Sequence, residues 1–331
     1  MLQKNKKYFV LYPSCVIVDG ENNSAIYDLQ RNEVHISPVY FGDLFSINSD
    51  YGTKFINIEK MRNHTGIEQV LQILKQKDFG YFCDVIPPFC QINIDYFGFG
   101  NSISNFLIDI DNNSSYSLQK VSEVINKLFC EALEIRYFGN FNNDKIISDL
   151  QHFSDSTLRS ITLSLTLKKD IEKFVSSVME TSERVSKIQL FEQSINEVKK
   201  TYDLILIQNT GSLIDEFSCG YCTEYNILAQ TQFYIESLHH NNCLYKKVSI
   251  DKNGFIKNCP ALQNNFGHID EVSDIKTIVQ SESFKYLWEL KKDLIDECKE
   301  CALRYACHDC RAILKEPTNI FSRPLKCFLA K

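Results

Sequence analysis

Seven of the thirteen cysteines of this 331-residue chain fall between residues 243 and 327, in one ordered pattern. Cys243 is followed after ten residues by Gly254 and after four more by Cys259; then come Cys298-x-x-Cys301, Cys307-x-x-Cys310 and Cys327. Thiolates grouped this tightly are metal ligands, because each is a soft donor and a short loop delivers several to one centre. Seven exceed the four that a tetrahedral zinc takes and suit two polynuclear iron–sulfur centres. The alternative is a zinc staple with no redox role, made by Cys298, Cys301, Cys307 and Cys310.

The remaining composition, 44% hydrophobic and 24% charged, is that of an ordinary globular chain with length for two or three domains. A formal charge of −6, with lysine and arginine spread along the chain, argues against nucleic acid and anionic membranes as partners. Protein, peptide or small-molecule partners are expected instead. Lys4, Lys6, Lys7 and the apolar Tyr8–Tyr12 have the look of a signal peptide, but Pro13 and Ser14 interrupt the run and no small-residue cleavage site follows. No stretch approaches the roughly twenty apolar residues of a membrane helix. The expected compartment is the cytoplasm, where reducing conditions leave cysteines to metals and chemistry rather than disulfides.

Such thiols need a scaffold. Residues 8–37 read as short strands, Tyr8–Tyr12, Val16–Val18, Ala25–Asp28 and Val34–Ile36, around the polar turn Asp19-Gly-Glu-Asn-Asn-Ser. In Gly66–Lys77 the apolar Ile67, Val70, Leu71 and Leu74 fall at helical spacing, and Phe79–Phe82 returns to strand character. Strands followed by a helix predict a small winged-helix-like domain over residues 1–88; the alternative is that these strands extend the central sheet. From 89 to 236, strand candidates at Asn105–Ile110, Leu133–Phe138, Ser160–Leu167, Lys187–Phe191, Asp203–Ile207 and Gln232–Glu236 are separated mostly by amphipathic stretches such as Leu118–Leu128, Lys145–Phe153 and Ile171–Val185. Six βα-like units predict an α/β fold whose parallel sheet is open or curved into a partial barrel, with helices outside it. Chemistry in such folds sits at the carboxyl ends of strands, which singles out Asp109, Asp111, Arg136 and Tyr137. The third region, 237–331, has fewer long helices and is joined by the cysteine-bearing turns.

Within that region Ile250 to Cys259 reads as a β-hairpin in which Gly254 supplies the turn and brings Cys243 and Cys259 to one side. With Cys-x10-Gly-x4-Cys, then Cys-x2-Cys-x5-Cys-x2-Cys and a last cysteine, residues 237–331 resemble the SPASM domain, the C-terminal auxiliary-cluster module of radical SAM enzymes that modify peptides and proteins. One departure is the pair His308-Asp309, where the family usually has three residues before the fourth cysteine of the central run. The resemblance implies that Cys298, Cys301, Cys307 and Cys327 hold one 4Fe–4S cluster and that Cys243, Cys259 and Cys310 hold most of a second. The second then lacks a ligand, which in some family members is a cysteine shortly before the hairpin. Cys219 and Cys222, in Ser218-Cys-Gly-Tyr-Cys, are the nearest such residues. An open iron position and ligation by His239 or His240 are the alternatives, with a solvated turn the plainer reading of the two histidines.

Radical SAM enzymes also carry three cysteines in the loop after the first barrel strand, where the cluster that cleaves S-adenosylmethionine is held. The corresponding loop here, Ile110 to Ser117, contains no cysteine, and no Gly-Gly-Glu-like segment follows the second strand candidate. The central region thus resembles a degenerate radical SAM-like partial barrel, and S-adenosylmethionine is not an expected cofactor. A SPASM module on a chain of this length resembles the SPASM-domain peptide maturase of grasp-with-spasm systems. There the implied partners are an ATP-grasp ligase and a precursor peptide, and the product is a ribosomally synthesised, post-translationally modified peptide. A redox or radical enzyme using an incompletely ligated cluster is a competing expectation.

Other candidates have plainer readings beside them. Cys15, Cys83, Cys90 and Cys130 sit singly in apolar surroundings, where a free cysteine behaves as a small hydrophobe. Asp109 and Asp111 can bind a cation or a substrate amine, or be solvated loop carboxylates. Trp288, the only tryptophan, fits a helical core position better than a binding platform. His308, between two ligand candidates, is either exposed or a donor to a cluster sulfur. The N-terminal region is comparable with leader-peptide recognition domains, which bind an extended peptide along a strand edge.

Overall fold

The computed structural model describes residues 6–61, 66–89, 102–201, 203–220 and 226–329. Residues 6–89 form two antiparallel sheets. Strands β1 (Tyr8–Leu11), β5 (Ser46–Ile47), β6 (Lys54–Asn57) and β7 (Gly80–Cys83) lie in the order β5-β6-β1-β7. Strands β2 (Cys15–Asp19), β3 (Ser24–Asp28) and β4 (Glu33–Ser37) make the other sheet. Helix α1 (Ile67–Gln76) lays Ile67, Val70, Leu71 and Leu74 into a core with Phe9, Leu11, Ile56 and Phe79. Its apolar spacing is that of one buried helix face. Among the described residues of this region α1 is the one α-helix, so the arrangement is richer in strand than a winged-helix domain. Nor do these strands extend the central sheet, since both sheets are separate from it.

The other face of β2-β3-β4 is covered by the C-terminal region. Val18, Ala25 and Tyr27 pack with Tyr234 and Ile235 of helix α5 (Thr231–His239) and with Ala302, Leu303 and Ala306 of the cysteine loop. Tyr27 donates its hydroxyl to the Ala302 carbonyl at 2.6 Å, the Glu21 amide donates to the Glu300 carbonyl at 2.9 Å, and Arg304 donates to the Asp19 carbonyl at 2.7 Å.

The central sheet is built from β8 (Asn105–Asp111), β9 (Ala132–Phe138), β10 (Ser160–Thr166), β11 (Val185–Phe191), β12 (Glu197–Lys200), β13 (Ile205–Gln208), β14 (Lys247–Ile250) and β15 (Ile256–Lys257). Their order is β12-β13-β11-β10-β9-β8-β14-β15. The six inner strands are mutually parallel, and β12 and β15 pair antiparallel at the two ends, so the sheet stays open and no barrel closes. Helices α2 (Leu118–Leu128), α3 (Asn143–Gln151), α4 (Ile171–Thr181) and α6 (Ile275–Gln280) pack against it, while α7 (Glu282–Lys285) brings Phe284 into the same core. Side chains of Ser117 and Asn142 accept hydrogen bonds from the first turns of α2 and α3, which is why those helices start where they do.

Six parallel strands are present, but the sixth is not Gln232–Glu236. That run lies in α5, where Tyr234, Ile235 and Ser237 share a buried face. A five-residue apolar run has no length to distinguish a strand from a helix pressed between two layers. The sixth parallel strand is β14, paired with β8 from Lys247 opposite Asn105 to Ile250 opposite Ile108. The sheet therefore crosses the boundary expected near residue 237. No helix among the described residues is long and apolar enough to cross a membrane.

Candidate metal centres

The inner strands alternate. Phe106, Ile108 and Ile110 of β8, Leu133, Ile135 and Tyr137 of β9, and Ile161, Leu163 and Leu165 of β10 belong to the core with the helices. The residues between them, which strand geometry turns to the opposite face, are largely polar. They include Asp109, Glu134, Arg136 and Ser164, with Lys247 of β14 in the same alternation. Parallel strands buried on both faces are usually apolar throughout, so a polar second face marks a surface with another task. Arg136 donates from Nε and Nη2 to both carboxylate oxygens of Asp109 at 2.7 Å, and both residues are buried. Burial raises the Asp109 carboxyl to about 6 against the pull of Arg136. Burial also opposes the Arg136 charge, but Asp109, Cys219 and Glu134 outweigh it and hold the guanidinium firmly protonated. Asp109 is thus an ion-pair partner rather than a solvated carboxylate. Ser164 donates to Glu134 at 3.0 Å.

The thiols sort into two neighbourhoods. Cys298, Cys301, Cys307 and Cys327 line one cavity of about 130 Å³, together with Lys292, Leu303, Arg304, Arg323, Phe328 and others. Cys310 does not line it, although only two residues separate it from Cys307. Cys310 and Cys259 instead share electrostatic neighbours in Cys243 and Cys219. Gly220 makes this approach possible: its φ is +82°, and a Cβ there would stand 3.2 Å from the Cys310 sulfur. The segment is tied down by Lys326, which donates to the carbonyls of Phe217 at 2.6 Å and Cys219 at 2.9 Å. Of the two upstream cysteines, Cys219 therefore stands in the second neighbourhood; Cys222, like Cys90, lies outside the described residues.

Among the described residues no three His, Cys, Asp or Glu side chains converge closely enough to hold a single metal ion. A tetrahedral zinc at Zn–S of about 2.3 Å draws its sulfurs to about 3.8 Å from one another. The first four thiols surround a cavity instead, and the cysteines of the proposed zinc staple are divided between the two neighbourhoods. These are soft thiolate donors in two groups, a donor set that an iron–sulfur cluster would accept.

Burial sets the acidity of these thiols. It pushes Cys259 and Cys298 up to about 12 and Cys310 to about 11, and raises Cys301. A lysine attends each neighbourhood, Lys292 buried and Lys247 half-buried. Lys292 Nζ lies 3.3 Å from Cys307 Sγ, and Lys247 Nζ lies 4.0 Å from Cys243 Sγ. Burial works against the Lys247 ammonium, but Cys243, Cys259, Glu134 and Cys219 outweigh it. Neither lysine stands out in the sequence, because only the fold distinguishes Lys292 from the half-exposed Lys291 beside it. Between the ligand candidates, Asp309 accepts from Arg311 Nη2 at 2.6 Å and from Asn241 at 2.8 Å, all three residues being buried. Arg311 also donates to the carbonyls of Ile320 and Ser322, folding the segment towards Cys327 back against the loop.

The other candidates take structural places. His240 stacks on Tyr245 at 3.7 Å, and His239 is exposed in the last turn of α5. His308 is half-buried, edge-on to Phe233 at 4.9 Å, and burial with Lys292 and Lys247 lowers it to about 4. Trp288 is core, as are Cys15 and Cys130, with Cys83 half-buried. Asp111 accepts from the Asn113 amide and Ser114 hydroxyl within its own loop. Tyr137 faces the helices and donates to Asp149 at 3.3 Å.

No family model matches the chain, and no curated protein matches it. Among solved structures, the crystal structure of Streptococcus suis SuiB aligns with a TM-score of 0.33 and 10% identity, covering 96% of this chain and 100% of that chain. At that score the likeness establishes neither fold nor function.

Proposed function

We propose that this chain is an iron–sulfur protein of a peptide-modification pathway, binding two 4Fe–4S clusters and a precursor peptide and working with an ATP-grasp ligase. The observation that carries the proposal is the division of the thiols, Cys298, Cys301, Cys307 and Cys327 around one cavity and Cys219, Cys243, Cys259 and Cys310 in a second neighbourhood. This grouping supports the partition that the SPASM resemblance implies, and the nearness of Cys219 to Cys259 and Cys310 supports it as the missing ligand. The open parallel sheet is compatible with a degenerate radical SAM-like partial barrel.

Bound in these places, such clusters would supply single-electron transfer and cross-link the loops that hold them. The chain's own residues do the rest. Asp109 and Arg136 lock one another at the carboxyl ends of β8 and β9, and Ser164 orients Glu134 beside them. Of these residues the half-exposed Glu134 is the one that offers an acceptor to the amides of a bound peptide. The loop after β8 offers no thiol, so conventional cleavage of S-adenosylmethionine is not part of the proposal.

Anaerobic purification with iron, sulfide and zinc quantified tests the metal content. About eight irons with matching sulfide per chain are expected of two such clusters; a colourless protein carrying one or two zincs overturns the proposal. Incubation with S-adenosylmethionine and reductant is expected to release no 5′-deoxyadenosine, and its release overturns the assignment of the central region.

A further inference from the structure

Two lysines stand against thiols where an ammonium is costly, Lys292 buried and Lys247 half-buried. An ammonium taken out of water is tolerated only where negative charge meets it. Lys292 is 4% exposed and meets Cys307 Sγ at 3.3 Å. Lys247 opens β14 on the polar face of the sheet and meets Cys243 Sγ at 4.0 Å. Each touches a different thiol neighbourhood, and the two lysines come from unrelated parts of the fold, a strand end and a short helical turn.

A metal group held by four thiolates carries more negative charge than its metal brings, and each electron added increases the excess. We infer that Lys292 and Lys247 are charge-compensating residues, one for each neighbourhood, each strengthening metal binding by its own thiols and raising the reduction potential of the group held there. Lys292 acts on the group of Cys298, Cys301, Cys307 and Cys327; Lys247 acts on that of Cys219, Cys243, Cys259 and Cys310. Only the statement about potential rests on the iron–sulfur proposal, since charge compensation applies to any thiolate-bound cation.

The full-length chain is compared with K292M, K292R, K247M and K247R. Methionine keeps the apolar stem and removes the charge; arginine keeps the charge. With cobalt(II) added to metal-free protein in competition with a chelator, each methionine variant is expected to bind its share of cobalt about tenfold more weakly, and each arginine variant to recover most of the loss. In anaerobic, spectroscopically monitored redox titrations of iron-loaded protein, K292M is expected to lower the potential of one centre and K247M that of the other. Each shift is expected to be about tenfold in the ratio of oxidised to reduced form, about 59 mV for one electron. Should a methionine variant not fold, the glutamine variant is measured in its place. Cobalt affinities equal to those of the unaltered chain overturn the inference, as does arginine failing to restore what methionine removes. A chain that takes up cobalt as expected but no iron overturns the iron–sulfur proposal and leaves charge compensation standing.

Discussion

Arg136 holds Asp109 in a two-pronged grip at the carboxyl ends of neighbouring parallel strands, with both side chains sealed from solvent. Removing one partner of such a pair strands the other's charge, at about 3–5 kcal/mol. R136M is therefore expected to lose stability of that order in urea unfolding. The double variant D109L/R136M is expected to lose clearly less than the sum of the two single changes. Additive losses would show that the two side chains are not energetically coupled.

The two thiol neighbourhoods are expected to empty separately. C307A removes a donor from the cavity of Cys298 and Cys327, whereas C219A removes one from beside Cys259 and Cys310. Each is expected to lose up to about half the bound metal, leaving the spectroscopic signature of the other centre. C219A with undiminished metal would assign the fourth donor elsewhere, and Cys222 would be the next residue to test.

Metal loading is expected to release protons. Thiols raised by burial to about 11 and 12 hold their protons at neutral pH, and each must give one up to become a ligand. Apparent affinity for added zinc should therefore rise with pH, with acid release measurable by a pH indicator in weak buffer. The metal-free chain is expected to show the opposite trend in stability. Its folded thiols have pKa values above the ordinary 9.0, so their contribution to stability is complete below about pH 9 and is lost as pH climbs towards their raised values. Urea midpoints of metal-free protein that increase between about pH 9 and 11 would contradict these shifts.

Gly20, just after β2, packs closely against the cysteine loop. A Cβ there would lie 2.9 Å from both the Glu300 carbonyl oxygen and the Ala302 amide nitrogen, and backbone yields less readily than a side chain. G20A is expected to destabilise by about 1–3 kcal/mol, as overpacking does. It should also speed metal loss to a chelator, because the displaced loop carries Cys301. Y27F, which deletes the hydrogen bond to Ala302, should act in the same direction and more weakly. Metal loss at the unaltered rate in both variants would separate the sheet contact from the metal site.

Much of this was legible in residue order. The apolar spacing of Ile67, Val70, Leu71 and Leu74 gave α1, and long apolar strands gave five of the six parallel members of the sheet. The sixth was misplaced because Phe233-Tyr-Ile fits a short strand and a buried helix equally, whereas Lys247-Val-Ser-Ile hid its parallel role inside a hairpin. The polar face is visible as alternation, in Leu133-Glu-Ile-Arg-Tyr and Ile161-Thr-Leu-Ser-Leu, but alternation alone does not tell a buried polar face from a solvated one. The placement of Cys219, by contrast, depends on a left-handed glycine and on Lys326 reaching back along the chain. Neither has a sequence period to betray it.

The pairing of β14 with β8 decides how this chain can be cut and recombined. The hairpin bearing Cys259 supplies a strand to the central sheet, so ending the chain before residue 247 would bare the backbone edge of β8 from Asn105 to Ile108. A naked, apolar edge invites pairing with another molecule and aggregation. Neither half is therefore a portable cassette: grafting the cysteine-rich part onto another scaffold would require that scaffold to offer a matching parallel edge.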